Sequence, residues 1–232
     1  LSSIKKYINP TRSEVEEQKT VSSFFDIEEA FIGKCCGYIV SAYYRAIAEG
    51  KIQSNWSERT ISRHLKKHLR TCLQEAEESI HVGIEYPEDN DDIDDGLVDS
   101  KTEIFFDLML STFSSADEVY FGVEAKILIE ADFLKRKAKA ELTEYVSEKG
   151  MRKFIDGQYK KRGCMIGYVM QGLVPQVVTR LNDLILANTK FTPSEIITGK
   201  HTINEYENCY FSEHTGRFRS RLRHLMLNFV IS

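Results

Sequence analysis

The sequence predicts an α/β fold, a mixed central sheet flanked by helices with an additional helix on the N-terminal side, and three observations predict it. Apolar, β-branched segments recur at 79–86, 103–110, 118–128 and 164–170. Stretches with apolar residues at helical spacing lie before, between and after them. The resulting order is helices, three strands, helix, strand, helix and two late strands, which suits helices packed on a mixed sheet better than a bundle or a sandwich.

Each element has its own local reason. From Ile27 to about Glu49, the residues Ile27, Phe31, Cys35, Ile39 and Tyr43 recur every four positions, so this is a buried helix that Gly50 ends. A second helix opens with Ser57 as N-cap and carries Ile61, Leu65, Leu69 and Cys72 on one side and a basic face on the other. Ser79 to Tyr86 reads as a strand stopped by Pro87, and an acidic loop follows. Glu103 to Leu110 and Glu118 to Leu128 are apolar enough to be neighbouring central strands, joined by a polar turn from Ser111 to Asp117. The Ala, Lys, Leu and Glu content after Ile129 predicts a helix through about Ser147, with more helix between Gly150 and Gly163. Cys164 to Met170 is a buried strand, and Val177, Val178, Leu181, Leu184 and Ile185 make Leu173 to Ala187 a helix. Residues 188–208 read as irregular. Strands near Asn208 to Ser212 and Leu225 to Ile231 close the sheet, although the second segment also suits a helix end.

The 232 residues are 42% hydrophobic and 28% charged, which suits one domain over 24–232 behind a polar segment, 1–23, expected to be mobile. That segment is no signal peptide by composition, and no apolar run approaches the roughly 20 residues of a membrane helix, so no membrane partner is expected. Five scattered cysteines, an odd number, point to core thiols in a reducing, cytoplasmic setting rather than to disulfides or a zinc knuckle. The net charge of −4 conceals a division: seven acids fall between Glu88 and Asp99, and the rest of the chain is net +3. Basic residues cluster around Arg63 and Lys67, Lys135 to Lys139, Arg152 to Arg162, and Arg217 to Arg223. Such local surfaces can bind phosphates although the whole protein is acidic, while each cluster taken alone suits a solvated helix face better.

The chemistry lies on two strands. Alternation puts Val119, Phe121, Val123, Ala125 and Ile127 on one face of the strand at 118–128, and Tyr120, Gly122, Glu124 and Lys126 on the other. A carboxylate and an ammonium thus share the face of an otherwise core-like strand, where burying charge is costly unless it is paired or binds metal. Asp107, between Phe106 and Leu108, repeats the anomaly on the preceding strand. Two carboxylates, Asp107 and Glu124, with the backbone carbonyl of Ala125, can hold a hard cation such as Mg²⁺, with Mn²⁺ as a substitute. Lys126 would then orient the attacking water or stabilise developing charge. The competing account is a structural salt bridge between Asp107 and Lys126.

Asp107, followed seventeen residues later by Glu124-Ala125-Lys126, resembles the signature of the PD-(D/E)XK, or restriction-endonuclease-like, nuclease superfamily, with Phe106 where the full signature has Pro. The resemblance covers about half the chain, a core of about 57–170 in the order helix, three strands, helix, strand. It implies a metal-dependent endonuclease hydrolysing phosphodiester bonds, with DNA a better substrate than RNA, a setting in bacterial or phage defence, and a homodimer or partner protein for duplex cleavage. Glu58, first in the Ser57-capped helix, matches a supporting acid of the family's metal site, and also suits the positive end of the helix dipole. Arg152, Tyr159 and Lys161 lie in a basic, aromatic stretch before the fourth strand and are candidate nucleic-acid contacts, as are Arg63 and Lys67. His64 and His68, four apart, could bind a transition metal but lack a third ligand in the sequence. A non-catalytic nucleic-acid- or protein-binding module on the same fold is the alternative.

Overall fold

The computed structural model describes residues 12–87, 105–114, 117–159, 163–215 and 219–230. The acidic loop at 88–99 and the candidate Lys161 lie outside the described residues. The chain is an α/β protein with a seven-stranded mixed open sheet, and the described residues contain five α-helices: α1 (Arg12–Glu49), α2 (Glu58–Glu75), α3 (Ala138–Val146), α4 (Arg152–Ile155) and α5 (Val174–Ala187). Among the described residues no helix is long and apolar enough to cross a membrane.

The strands are β1 (His81–Gly83), β2 (Tyr86–Pro87), β3 (Phe105–Phe106), β4 (Leu108–Ser114), β5 (Asp117–Ile129), β6 (Gly163–Gln171), β7 (Thr198–Ile203), β8 (Tyr206–Thr215) and β9 (Arg219–Asn228). The main sheet runs β1-β4-β5-β6-β9-β8-β7, and β2 pairs with β3 apart from it. The centre is parallel, β5 to β6 and β6 to β9, while both wings are antiparallel. Helices cover both faces. α1 and α2 pack on the side of Phe121, Val123, Ala125, Ile127, Ile166 and Leu225, and α3 and α5 pack on the side of Leu128, Met165, Val169 and Met226. β6, parallel-paired on both edges and covered on both faces, is buried along almost its whole length, which is why Cys164 to Met170 is continuously apolar.

Several elements follow their local signals. Ser57 caps α2, its Oγ accepting from the Thr60 amide at 3.2 Å, and Gly50 ends α1 with φ of 66°. β5, β6 and α5 lie where alternation and helical spacing put them. Other expectations need correction. α1 starts at Arg12, well before Ile27, although its early turns lack the apolar stripe that marks the later ones in the sequence. The turn expected at Ser111 to Asp117 is mostly strand: Ser111 pairs with both His81 and Tyr120, and pairing with β5 alone then carries β4 on to Ser114. The strand expected from Ser79 to Tyr86 is interrupted at Glu85, which takes φ of 48°. The helix expected directly after Ile129 is delayed to Ala138. Arg136 is held by the Trp56 carbonyl and Glu141, and Asp132 accepts from the Ala138 amide, so these contacts override good helix-forming residues. In the segment read as irregular, a capping box of Thr192 and Glu195 opens a short 3₁₀ turn, and β7 then forms the sheet edge. The last segment is strand, β9, because it pairs with β6 and β8 at once.

Candidate active site

The site occupies a fork in the sheet. β4 and β5 pair from Leu108 opposite Val123 outward to Ser114 opposite Asp117. At Asp107 the chain turns away: its amide still reaches the Val123 carbonyl at 3.0 Å, but Phe105 and Phe106 leave β5 and pair with β2. Beyond this point β5 loses its neighbour on that side, and the Ala125 amide would face the gap. The Asp107 carboxylate fills the role of the missing strand, Oδ2 accepting from the Ala125 amide at 2.7 Å. The break expected nowhere within Glu103 to Leu110 therefore lies at the candidate residue itself.

Glu124 and Lys126 project beside it from β5, 2% and 7% exposed. Lys126 Nζ donates to Glu124 Oε1 at 2.7 Å, to the Ala125 carbonyl at 2.9 Å and to Glu58 Oε1 at 3.1 Å, which uses all three ammonium protons. Glu58 comes from the opposite layer, because the N-terminus of α2 points at the fork. The other oxygen of Glu124 accepts from Lys153 Nζ at 2.8 Å and lies 2.5 Å from the Tyr159 hydroxyl. Tyr159 is itself placed by stacking on Phe106, with ring centroids 4.2 Å apart, and its single hydroxyl proton is shared between Glu124 Oε2 and the Phe105 carbonyl, 2.7 Å away.

The electrostatics follow from three carboxylates sharing a confined space. Burial, with Glu124 nearby, raises the Asp107 pKa to about 6. Burial, only partly opposed by Lys126, raises that of Glu58 to about 7. Burial also works against the Lys126 ammonium, but Glu124, Glu58 and Asp107 together outweigh it and hold its pKa above the ordinary lysine value. Lys126 therefore stays charged, so it serves as a donor rather than as a base. The proposed bridge from Asp107 to Lys126 is replaced by the ion pairs of Lys126 with Glu124 and Glu58.

The structure thus brings together Glu58, Asp107, Glu124, Ala125, Lys126 and Tyr159. It does not bring Arg152 there: that guanidinium bonds Asp156 and the Lys190 carbonyl and lies over the Phe191 ring. The second cation that reaches Glu124, after Lys126, is Lys153, which neighbours Arg152 and which the sequence did not single out. On a helix as short as α4, successive residues point about 100° apart, and no periodic pattern said which of the two faced the sheet. Arg63 and Lys67 line a groove of about 450 Å³ on the outer face of α2 with Lys66, Arg70, Ile84 and Glu85, where Lys67 also pairs with Glu49.

Oxygen-only donors suit a hard cation, and Asp107, Glu124 and the Ala125 carbonyl would be its holders. Among the described residues, however, the one set of three His, Cys, Asp or Glu side chains whose ligand atoms all lie within 4.8 Å of one another is Glu49, His64 and His68. The fork carboxylates are more widely spaced, with the Lys126 ammonium between two of them. Compared with known protein families, curated proteins and solved structures, the chain matches none. The functional reading stands on its residues and their geometry.

Proposed function

We propose that the chain is a metal-dependent nuclease of the PD-(D/E)XK type on a restriction-endonuclease-like fold, hydrolysing phosphodiester bonds in nucleic acid and most suited to DNA as an endonuclease. The observation that carries this reading is the hydrogen bond from the Ala125 amide to Asp107, which latches one carboxylate beside Glu124 and Lys126 at the point where the sheet opens. A Mg²⁺ or Mn²⁺ ion held by Asp107, Glu124 and the Ala125 carbonyl would supply Lewis acidity toward the scissile phosphate and lower the pKa of an attacking water. The protein's own groups do the rest. Lys126 stays charged, and release of one of its three hydrogen bonds on substrate entry would present an N–H to the water or to the oxyanion that forms, while the remaining bonds hold the ammonium in place. Lys153 and Tyr159 fix the rotamer of Glu124. The groove lined by Arg63, Lys66, Lys67 and Arg70 starts one turn along α2 from Glu58 and suits a phosphate backbone leading to the fork.

Incubation of plasmid, linear duplex, single-stranded DNA and RNA with Mg²⁺ or Mn²⁺ tests the reading. Cleavage is expected in wild type and lost in Asp107→Asn and Lys126→Ala proteins that retain the circular dichroism of wild type. Cleavage that persists unchanged in both variants sinks the assignment. A second reading, a non-catalytic nucleic-acid-binding module, has one observation in its favour: Lys126 and Lys153 already satisfy both oxygens of Glu124. It predicts binding without cleavage under every metal tested.

A further inference from the structure

We infer that Glu49, His64 and His68 form a second metal site, for a divalent transition ion of the zinc type, at the junction of α1 and α2. The inference is independent of the nuclease reading. His64 and His68 are four apart on α2, so both rings leave the same face, and their centroids lie 4.8 Å apart. Glu49 is the last residue of α1 and supplies the ligand that the sequence lacked. Its Oε2 lies 3.3 Å from His64 Nε2 and 2.8 Å from His68 Nε2. Ligand atoms on a tetrahedral ion with bonds of about 2.0–2.1 Å are separated by about 3.3 Å; the Glu49–His64 pair already matches, the Glu49–His68 pair is shorter, and all three ligand atoms lie within 4.8 Å of one another, so binding an ion requires the imidazoles to adjust around it.

Two features point to a ligand beyond the cluster itself. His64 Nε2 is buried and has no hydrogen-bond partner, although it faces Glu49. A buried ring nitrogen left in this way is costly, and a metal would satisfy it. The other carboxylate oxygen, Glu49 Oε1, is held by Lys51 at 2.6 Å and Lys67 at 3.2 Å, which orients Oε2 toward the histidines. The donor set of two imidazoles and one carboxylate selects a different class of ion from the fork, with room for water in a fourth position. His64 lies six residues along α2 from Glu58, about 9 Å by helical rise, so the two sites are separate but share one helix.

Trp56, the only tryptophan, reports on the site because its ring centroid is 5.3 Å from that of His64. Co²⁺ is titrated into the full chain at neutral pH, in wild type and in Asp107→Asn, while Trp56 emission and the visible bands of four-coordinate Co²⁺ are followed. Saturation at one equivalent is expected in Asp107→Asn, with emission restored by Zn²⁺ and not by Mg²⁺. His68→Ala and the conservative Glu49→Gln, each made in the Asp107→Asn background, should lose the response at the concentration that saturates the parent. If His68→Ala fails to fold, Glu49→Gln carries the test. Absence of quenching, or quenching unchanged in Glu49→Gln, overturns the site and leaves the trio as an ion-paired helix junction.

Discussion

Lys126 shows how a single charge can be buried and stay ionised. The residue is 7% exposed yet its ammonium remains protonated, because three hydrogen bonds, two of them to carboxylates, replace its water shell. Removing a preorganised donor of this type costs about 10²–10³-fold in rate, so Lys126→Ala should lose that much cleavage at saturating Mg²⁺ in single-turnover assays. In the proposed nuclease Lys153 and Tyr159 would act through Glu124, so Tyr159→Phe should weaken Mn²⁺ affinity by roughly 10–100-fold, read by calorimetry, whereas Lys153→Ala removes a cation that competes for Glu124 and should not weaken it. Arg152→Ala should instead lower the melting temperature and leave metal affinity unchanged, since its partners are Asp156, Lys190 and Phe191. Asp107 and Glu58 make a pH prediction. Their folded pKa values, about 6 and about 7, exceed those of unfolded carboxylates, so the folded state binds more protons between about pH 4 and 7. Their contribution is therefore present at low pH and lost as pH rises through that window, on the order of 1–2 kcal/mol for each group after allowance for solvent. Asp107→Asn should flatten this slope in urea melts without added metal, and an unchanged slope would contradict the crowding of carboxylates at the fork.

At the scale of elements, the fork between β4 and β5 depends on a close approach. A Cβ on Gly122 would lie 2.1 Å from Cε1 of Phe106, the residue before Asp107 and the ring on which Tyr159 stacks. Gly122→Ala should therefore cost about 1–3 kcal/mol in stability and, through Phe106, reduce activity more than its loss of folded protein explains. A control outside the hydrogen bonds of the fork is Leu181→Ala in α5, which leaves a cavity in the layer of α3 and α5 and should cost about 2–5 kcal/mol without changing metal affinity at the fork. Elements with strong internal patterns, α2, β5, β6 and α5, were legible in the sequence for this reason: alternation or helical spacing there matches the face that is buried. The loop at 130–137 and the edge strand β7 were not legible, because their conformations depend on partners such as Trp56, Glu141 and β8 that are distant in sequence or set by pairing.

Across the whole molecule, the two helical layers differ in what they bury. The layer of α1 and α2 buries mainly apolar side chains with separate hydrogen bonds such as Ser62 to Tyr168 at 2.9 Å, whereas beneath α3 a chain of buried polar groups links Tyr145 to His224 at 2.8 Å, His224 to Ser212 at 2.8 Å, Ser212 to His214 at 2.7 Å and His214 to Glu195 at 3.0 Å. It ties α3, β8, β9 and the 3₁₀ turn together across the sheet. Ser212 and both histidines are at most 3% exposed, so the arrangement of serine, histidine and glutamate has no access for a substrate and acts as a polar strut. Burial depresses the His224 pKa to about 3 and lowers that of His214 as well. The unfolded chain then binds more protons between about pH 6.5 and 3, so stability from these groups is full above pH 6.5 and is lost as pH falls. Acid unfolding should begin below about pH 6, and His224→Gln should flatten that limb while lowering stability at pH 7. This slope opposes that of Asp107 and Glu58, and the two variants separate them.

The sequence by itself determined the α/β class, the strong helices and central strands, and the identity of the charged trio Asp107, Glu124 and Lys126. It could do so because a charge on a core-like strand violates the local pattern, and the violation is visible without coordinates. Only the tertiary structure decided that Asp107 bends the chain and caps β5, that Glu58 reaches Lys126 from the other layer, and that Lys153 rather than Arg152 meets Glu124. It also decided that Glu49 joins the two histidines of α2. Each of these is a contact between elements far apart in the chain, and such contacts follow from how buried faces pack rather than from any local period.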